Sequence, residues 1–406
     1  MVSIFATTEF HDQIQAIIQQ EDRLEELVSI IDILEQRPTP NAHSIILKNG
    51  ELGFTLDWQN QQPPFLLPEE IILNAPNLLG IVFAKLGNYE KAHEYLQKTN
   101  AGLFSELDFI NRLQHGIPLK PEELISNYAP YEDYRLMHNN AIVRHYASEP
   151  GHFDIEKTAY FYEEALKSAP TEEHRAFTAR QYALLLIDLQ HTTPAKEVLE
   201  RVAQDQLSEE AKTELLHTLC QLQLQQLSVP YDQHLLESLK SNLWNVLQAY
   251  EAQGRLIEAG LLLLDATQIA NIDQSFSEAL GYVTRAIRIF EEEGLADLAG
   301  NAQLRKGTLL YTWAQHDNPQ FFRPAVEAYQ EALKIFTKEA APNVFADIHH
   351  HLGVIYTDMP TESKKKSSRN KKKSNPFSRH PKKSGQRGGK NSRKSRKNTG
   401  TNAAPR

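Results

Sequence analysis

The amino-acid sequence predicts an all-α chain of stacked antiparallel helix pairs, preceded by a small β-hairpin. Three observations point there. Leu, Ala, Glu and Gln are abundant while Gly and β-branched runs are sparse, a composition that favours helix. Small and large apolar residues recur at fixed offsets in several separate segments, the mark of a repeat architecture. Turn residues such as Gly87-Asn88 fall between those segments, where the chain must reverse and Gly supplies a permissive backbone.

The segment 1–70 stands apart as an N-terminal cap. Between Glu9 and Glu35, the residues Ile14, Ile17, Ile18, Leu24, Leu27, Ile30, Ile31 and Leu34 recur at spacings of three and four, which predicts one or two amphipathic helices. In HSIILKNGELGFTLDW, Asn49-Gly50 lies between two apolar runs and predicts a hairpin. A Pro-rich turn over 62–68 then leads into the repeats.

From residue 71 to 360 the offsets take over. In NLLGIVFAKLGNYEKAHEYLQKTN, Leu79-Gly80, Phe83, Ala92 and Leu96 alternate small and large, so that helix axes approach closely at the small positions and large side chains fill the space between turns. A second segment carries Leu243, Leu247, Tyr250, Gly254, Ala259, Leu263 and Ala266, and the offset from Leu247 to Ala259 equals that from Gly80 to Ala92. Ala183, Leu186, Ala195, Leu199 and Val202 make a weaker third unit. Tyr162, Ala165 and Pro170 match the end of a second helix and its closing Pro, while the segment before them, around Asn140 to Tyr146, matches poorly. Further on, Ala286 to Phe290 returns as Ala332 to Phe336, and Gly307 returns as Gly353 at the same offset. The segment from Ile257 to Ala270 is open to two readings: it closes one unit or opens the next.

These residues resemble the tetratricopeptide repeat family. The resemblance covers roughly residues 71–360 and is closest at Pro76–Asn100 and around Leu243. It implies a right-handed α-solenoid whose curved groove holds a partner peptide or domain, with Phe83, Tyr162, Tyr250, Tyr329 and Tyr356 in the inter-helix core. It implies neither cofactor nor small-molecule substrate. One subtype grips carboxylate tails through Lys and Asn on successive first helices; here the Pro76 repeat carries Asn77 but no Lys until Lys85, and the Leu243 repeat offers Asn245 without a Lys, so that clamp is incomplete.

No HExxH, CxxC, GxSxG or EF-hand pattern occurs, and Gly385 to Lys390 lacks phosphate-loop spacing. His349-His350-His351 cannot converge on one ion from a helix, where consecutive residues point about 100° apart. The acidic pairs Glu122-Glu123, Glu172-Glu173 and Glu209-Glu210, with Glu291 to Glu293, read as solvated helix ends. The single cysteine, Cys220, forms no intramolecular disulfide, is expected to be buried, and fits a reducing compartment. The longest apolar run, Leu261 to Leu264, falls far short of the ~20 residues of a membrane span. With no secretory signal in MVSIFATTEF, the expectation is a cytoplasmic, non-catalytic protein without membrane contact.

The net charge of −9 hides an asymmetry. Residues 361–406 hold 17 Lys and Arg against one acid, Glu362, whereas residues 1–360 hold 26 basic and 51 acidic side chains. So little apolar content cannot build a core, and disorder is expected in that tail. Two origins stay open: a genuine electrostatic arm for nonspecific nucleic acid, or a frame change ahead of the Lys run. The second is motivated by Gly353 and Tyr356, which begin a repeat whose second helix should bear Ala near 365 and an apolar residue near 369; the chain has Lys365 and Arg369. The leading functional expectation is a protein-interaction scaffold, and the alternative is a nucleic-acid-associated protein acting through the tail.

Overall fold

The computed structural model describes residues 1–68, 70–119, 132–147, 153–316 and 318–360. The chain is mostly helical, with one small sheet at its N-terminal end. The sheet is larger than the expected hairpin. It has five strands in the order β2-β1-β3-β4-β5, namely β1 (Val2–Ala6), β2 (Val28–Asp32), β3 (Ser44–Lys48), β4 (Glu51–Phe54) and β5 (Ile71–Ile72). The hairpin itself is present between β3 and β4. Asn49 and Gly50 both take positive φ (53° and 82°), the twist that a two-residue hairpin turn needs.

The helical reading of Glu9 to Glu35 is corrected in its second half. Helix α1 (His11–Ile18) buries Ile14, Ile17 and Ile18 as expected. Arg23 then adopts a left-handed φ of 61°, which breaks the α-helical course and leaves only a 3-10 turn over Leu24–Glu26. Val28, Ile30 and Ile31, stiff at χ1, enter strand β2, parallel to β1. Strand β1 is an interior strand with parallel neighbours on both sides, which fits its mostly apolar sequence VSIFA, where only Ser3 is polar and half-buried.

Fourteen further helices follow among the described residues. They are α2 (Ala75–Lys85), α3 (Tyr89–Leu96), α4 (Ala101–Gln114), α5 (Glu132–Ala147), α6 (Ile155–Ser168), α7 (Glu172–Asp188) and α8 (Thr192–Val202). Then come α9 (Glu209–Gln226), α10 (Gln233–Ala252), α11 (Leu256–Ile272), α12 (Phe276–Glu292), α13 (Ala296–Gln315), α14 (Phe322–Leu333) and α15 (Pro342–Asp358). Side-chain caps start several of them. Asn74, Asn88 and Asn100 each accept a hydrogen bond from the backbone N–H three positions on, satisfying a donor that the helix leaves free. Each helix packs mainly on its sequence neighbours. The sheet is not a detached cap: Val2, Ile4, Ile45 and Leu52 share one core with Leu78, Leu79, Val82 and Leu96.

Most of the positions singled out in the sequence are buried. Leu79, Gly80 and Phe83 lie on α2, and Ala92 and Leu96 on α3, all buried. Tyr162 and Ala165 are buried on α6, and Pro170 follows the helix end at Ser168. Leu247 and Tyr250 on α10, and Ala259 and Leu263 on α11, are buried, whereas Ala266 is half-buried. Ala286 and Phe290 (α12), Gly307 (α13), and Ala332 and Phe336 at the α14 end are also buried. The ambiguous segment 257–270 is one continuous helix, α11. It packs on both neighbours, and its close-approach residue Gly260 meets Phe290 of α12, where an added Cβ would stand 2.7 Å from the ring.

Two repeat positions are corrected. Tyr356, expected in the inter-helix core, is 56% exposed. Gly353, expected to receive a neighbour, has nothing within 4 Å of where its Cβ would be. The reason is the same for both: α15 packs on α14, and no described helix covers its other side. The pair Glu122-Glu123 and the tail 361–406 lie outside the described residues. Glu172-Glu173 and Glu209-Glu210 occupy first turns, where the helix dipole favours them, but the 291–293 run sits at the C-terminal end of α12, where it does not.

Candidate partner-binding groove

Helices α10, α11 and α12 leave a groove between them of about 460 Å³. Leu243 and Leu247 from α10 and Leu262, Ala266 and Ile269 from α11 form its apolar floor. Their spacing follows from the repeat: Leu243 and Leu247 sit one turn apart on the inward face of α10, and small Ala266 leaves the opening. Trp244, next to Leu243, projects from the same helix at 48% exposure, a large apolar surface facing solvent. Tyr282 of α12 lies across from it, and its hydroxyl donates to Glu278 Oε1 at 2.5 Å. Partial burial and that carboxylate push the Tyr282 phenol up to about 12. At one end, Lys240 pairs with Asp273, and this hydrogen-bonded ion pair holds the Asp273 carboxyl below its usual range.

The groove's surroundings are acidic: residues 233–293 hold nine Asp and Glu against four Lys and Arg. Three of those cations, Lys240, Arg255 and Arg285, are engaged by Asp273, Glu214 and Glu251.

Behind the groove lies a buried polar seam. Glu214 of α9 accepts from Arg180 Nη2 (2.6 Å), Arg255 Nη1 (2.5 Å) and the Tyr250 hydroxyl (3.0 Å). Tyr250 is also 2.9 Å from Nδ1 of His217. Arg180 reaches further, donating to the carbonyl of Trp58 at 3.3 Å and to Asn60 Oδ1 at 3.1 Å. Both oxygens of Glu214 are bonded, the condition under which a buried carboxylate is tolerable. The arrangement fastens the loop between β4 and β5 to α7, α9 and α10.

The residues considered for other chemistry are dispersed. His349 lies against Phe345 and His351 against Tyr329, with the His350 ring 5.9 Å from that of His351, so the three adjacent histidines do not share one focus. Cys220 is 2% exposed, and burial pushes its thiol up to about 12. Lys85 is buried rather than presented to a partner: it donates to the Ala42 carbonyl, and burial lowers its ammonium to about 8. Asn77 is likewise buried, its amide donating to the Ile72 carbonyl at 2.9 Å.

Trp244 and Tyr282 are groove residues that the repeat pattern did not single out, because pattern positions mark the core and these two sit beside it. A large aromatic just off the core register was the available signal. No family model matches the chain, and no curated protein matches it. No helix among the described residues is long and apolar enough to cross a membrane.

Proposed function

We propose that this protein is a tetratricopeptide-type α-solenoid acting as a non-catalytic scaffold, and that the groove between α10 and α12 receives an apolar side chain of a peptide or domain. The observation that carries this reading is Trp244, half-exposed at the mouth of an apolar groove of about 460 Å³. A folded chain in water rarely leaves a large aromatic beside an open apolar cavity unless something docks there. The acidic balance of residues 233–293 favours a neutral or cationic partner. The test compares the native chain with Trp244→Glu in affinity capture, with thermal melting of both as a control. Loss of a specific co-purifying protein, with Tm unchanged, supports the reading; identical recovery from both chains refutes it.

The charge of residues 361–406 favours a second reading, in which the tail binds nucleic acid. It would act as a polyelectrolyte, so binding must weaken steeply with salt and ignore sequence. Binding of RNA or DNA unchanged by neutralising the tail lysines excludes it.

A further inference from the structure

Four helix glycines serve as notches for the side chain of a neighbour. A Cβ added at Gly80 would stand 2.4 Å from Leu96, at Gly260 2.7 Å from Phe290, at Gly300 2.7 Å from Phe336, and at Gly307 2.8 Å from Tyr329. Gly353 is the repeat counterpart of Gly307, and its notch is empty. The residue three positions on tells the same story. Phe83, Leu263 and Leu310 are at most 7% exposed and Gln303, after Gly300, is half-buried, but Tyr356 is 56% exposed.

The open side of α15 is also poor in charge. Its 17 residues include only Asp347 and Asp358, and Asp358 already accepts the Tyr311 hydroxyl at 2.5 Å. Ala346, His349, Gly353 and Tyr356 are all exposed, and at spacings of three, four and three they form one uncharged stripe. Few charges and an exposed aromatic are the composition of an interface centre rather than of a solvated helix face. In sequence, the positions that follow carry Lys365 and Arg369 where the repeat pattern calls for Ala and a large apolar residue.

The stripe is complementary to itself. Two α15 helices laid antiparallel about a two-fold axis at His351 bring residue 356 opposite 346 and residue 349 opposite 353. Each large side chain then meets a small one, twice over, along about 15 Å of helix. We propose that a second copy of this chain covers α15, with Tyr356 of each copy over Ala346 of the other and His349 over Gly353. The contact is isologous and closed, so it ends at a dimer. It is separate from the groove between α10 and α12 and leaves that groove free.

Sedimentation velocity of the full chain across a concentration series tests the proposal. A concentration-dependent dimer is expected, and Gly353→Leu should weaken it by about 100-fold, because overpacking recurs at both symmetric contacts. The protomer tolerates this change, since position 353 faces open space, so its helical circular dichroism should hold and its Tm at low concentration should not fall. Geometry is tested by oxidising a mixture of Ala346→Cys and Tyr356→Cys chains. A mixed disulfide is expected in excess of either homodimeric one. A monomer at every concentration, a dimer indifferent to Gly353→Leu, or no preference for the mixed disulfide overturns the proposal.

Discussion

The ring of Tyr329 packs so tightly on Gly307 that a methyl group there would stand 2.8 Å from it. Position 307 is therefore closed to side chains for a packing reason. Gly281, on the exposed face of α12, has nothing within 4 Å of its would-be Cβ. Gly307→Ala should destabilise by about 1–3 kcal/mol through overpacking. Gly281→Ala should stabilise by about 1 kcal/mol through helix propensity. Urea denaturation of both variants reads opposite signs; equal signs would contradict the notch.

Glu214 neutralises two guanidinium groups inside the protein. Glu214→Gln keeps the shape but leaves Arg180 without a carboxylate and Arg255 with only Glu258, whose Oε1 lies 3.0 Å from its Nε. The expected loss is about 3–5 kcal/mol, the cost of stranding buried charge. A chemical-denaturation midpoint within error of the native one would show that the seam is not energetically coupled.

Acid should weaken the fold through its buried histidines. Burial lowers His138, His145, His174 and His217 to about 4 in each case. In the unfolded chain these groups protonate near pH 6.5, so between about 6.5 and 4 the unfolded state binds more protons than the folded one. Stability is full above that window and falls as pH drops through it, by up to about 1.4 kcal/mol per pH unit for each histidine. Tm measured from pH 7 to 4 should decline accordingly, and His138→Gln should flatten the slope.

Cys220 should resist thiol reagents in the native state, because burial and the nearby Asp265 raise its thiol to about 12. Labelling should proceed only at the rate at which the surrounding helices open. Stoichiometric labelling within seconds in native buffer would place the thiol at the surface.

Much of the helical part was legible in the sequence because its rules are local. The offset between Gly80 and Ala92 fixes α2 and α3, and Gly87 turns between them with φ of 80°. The recurrence of Ala286 and Gly307 as Ala332 and Gly353 likewise foreshadowed α12 through α15. Strands β1 and β2 were not legible. Their parallel pairing sets Val2 beside Val28, with helix α1 in between, and the apolar run of β2 mimics helix spacing. Nor could spacing show that Trp244 and Tyr282 face one opening, since that depends on how α10 and α12 cross. Tyr356 was misplaced because the pattern assumes a following helix.

The reach of Arg180 to the Trp58 carbonyl spans 122 residues of chain. Where segments touch only their neighbours, melting starts at an end and runs inward. Arg180 prevents that for the first two-thirds of this protein: with Glu214 and Arg255 it laces the loop between β4 and β5 to α7, α9 and the start of α11, so these elements must let go together. Beyond α11 the ties are between nearby helices, as from Arg305 to the Leu264 carbonyl or from Tyr311 to Asp358. Amide exchange should therefore divide the chain in two, with α12 to α15 fraying in sequence while everything before them is lost in one step.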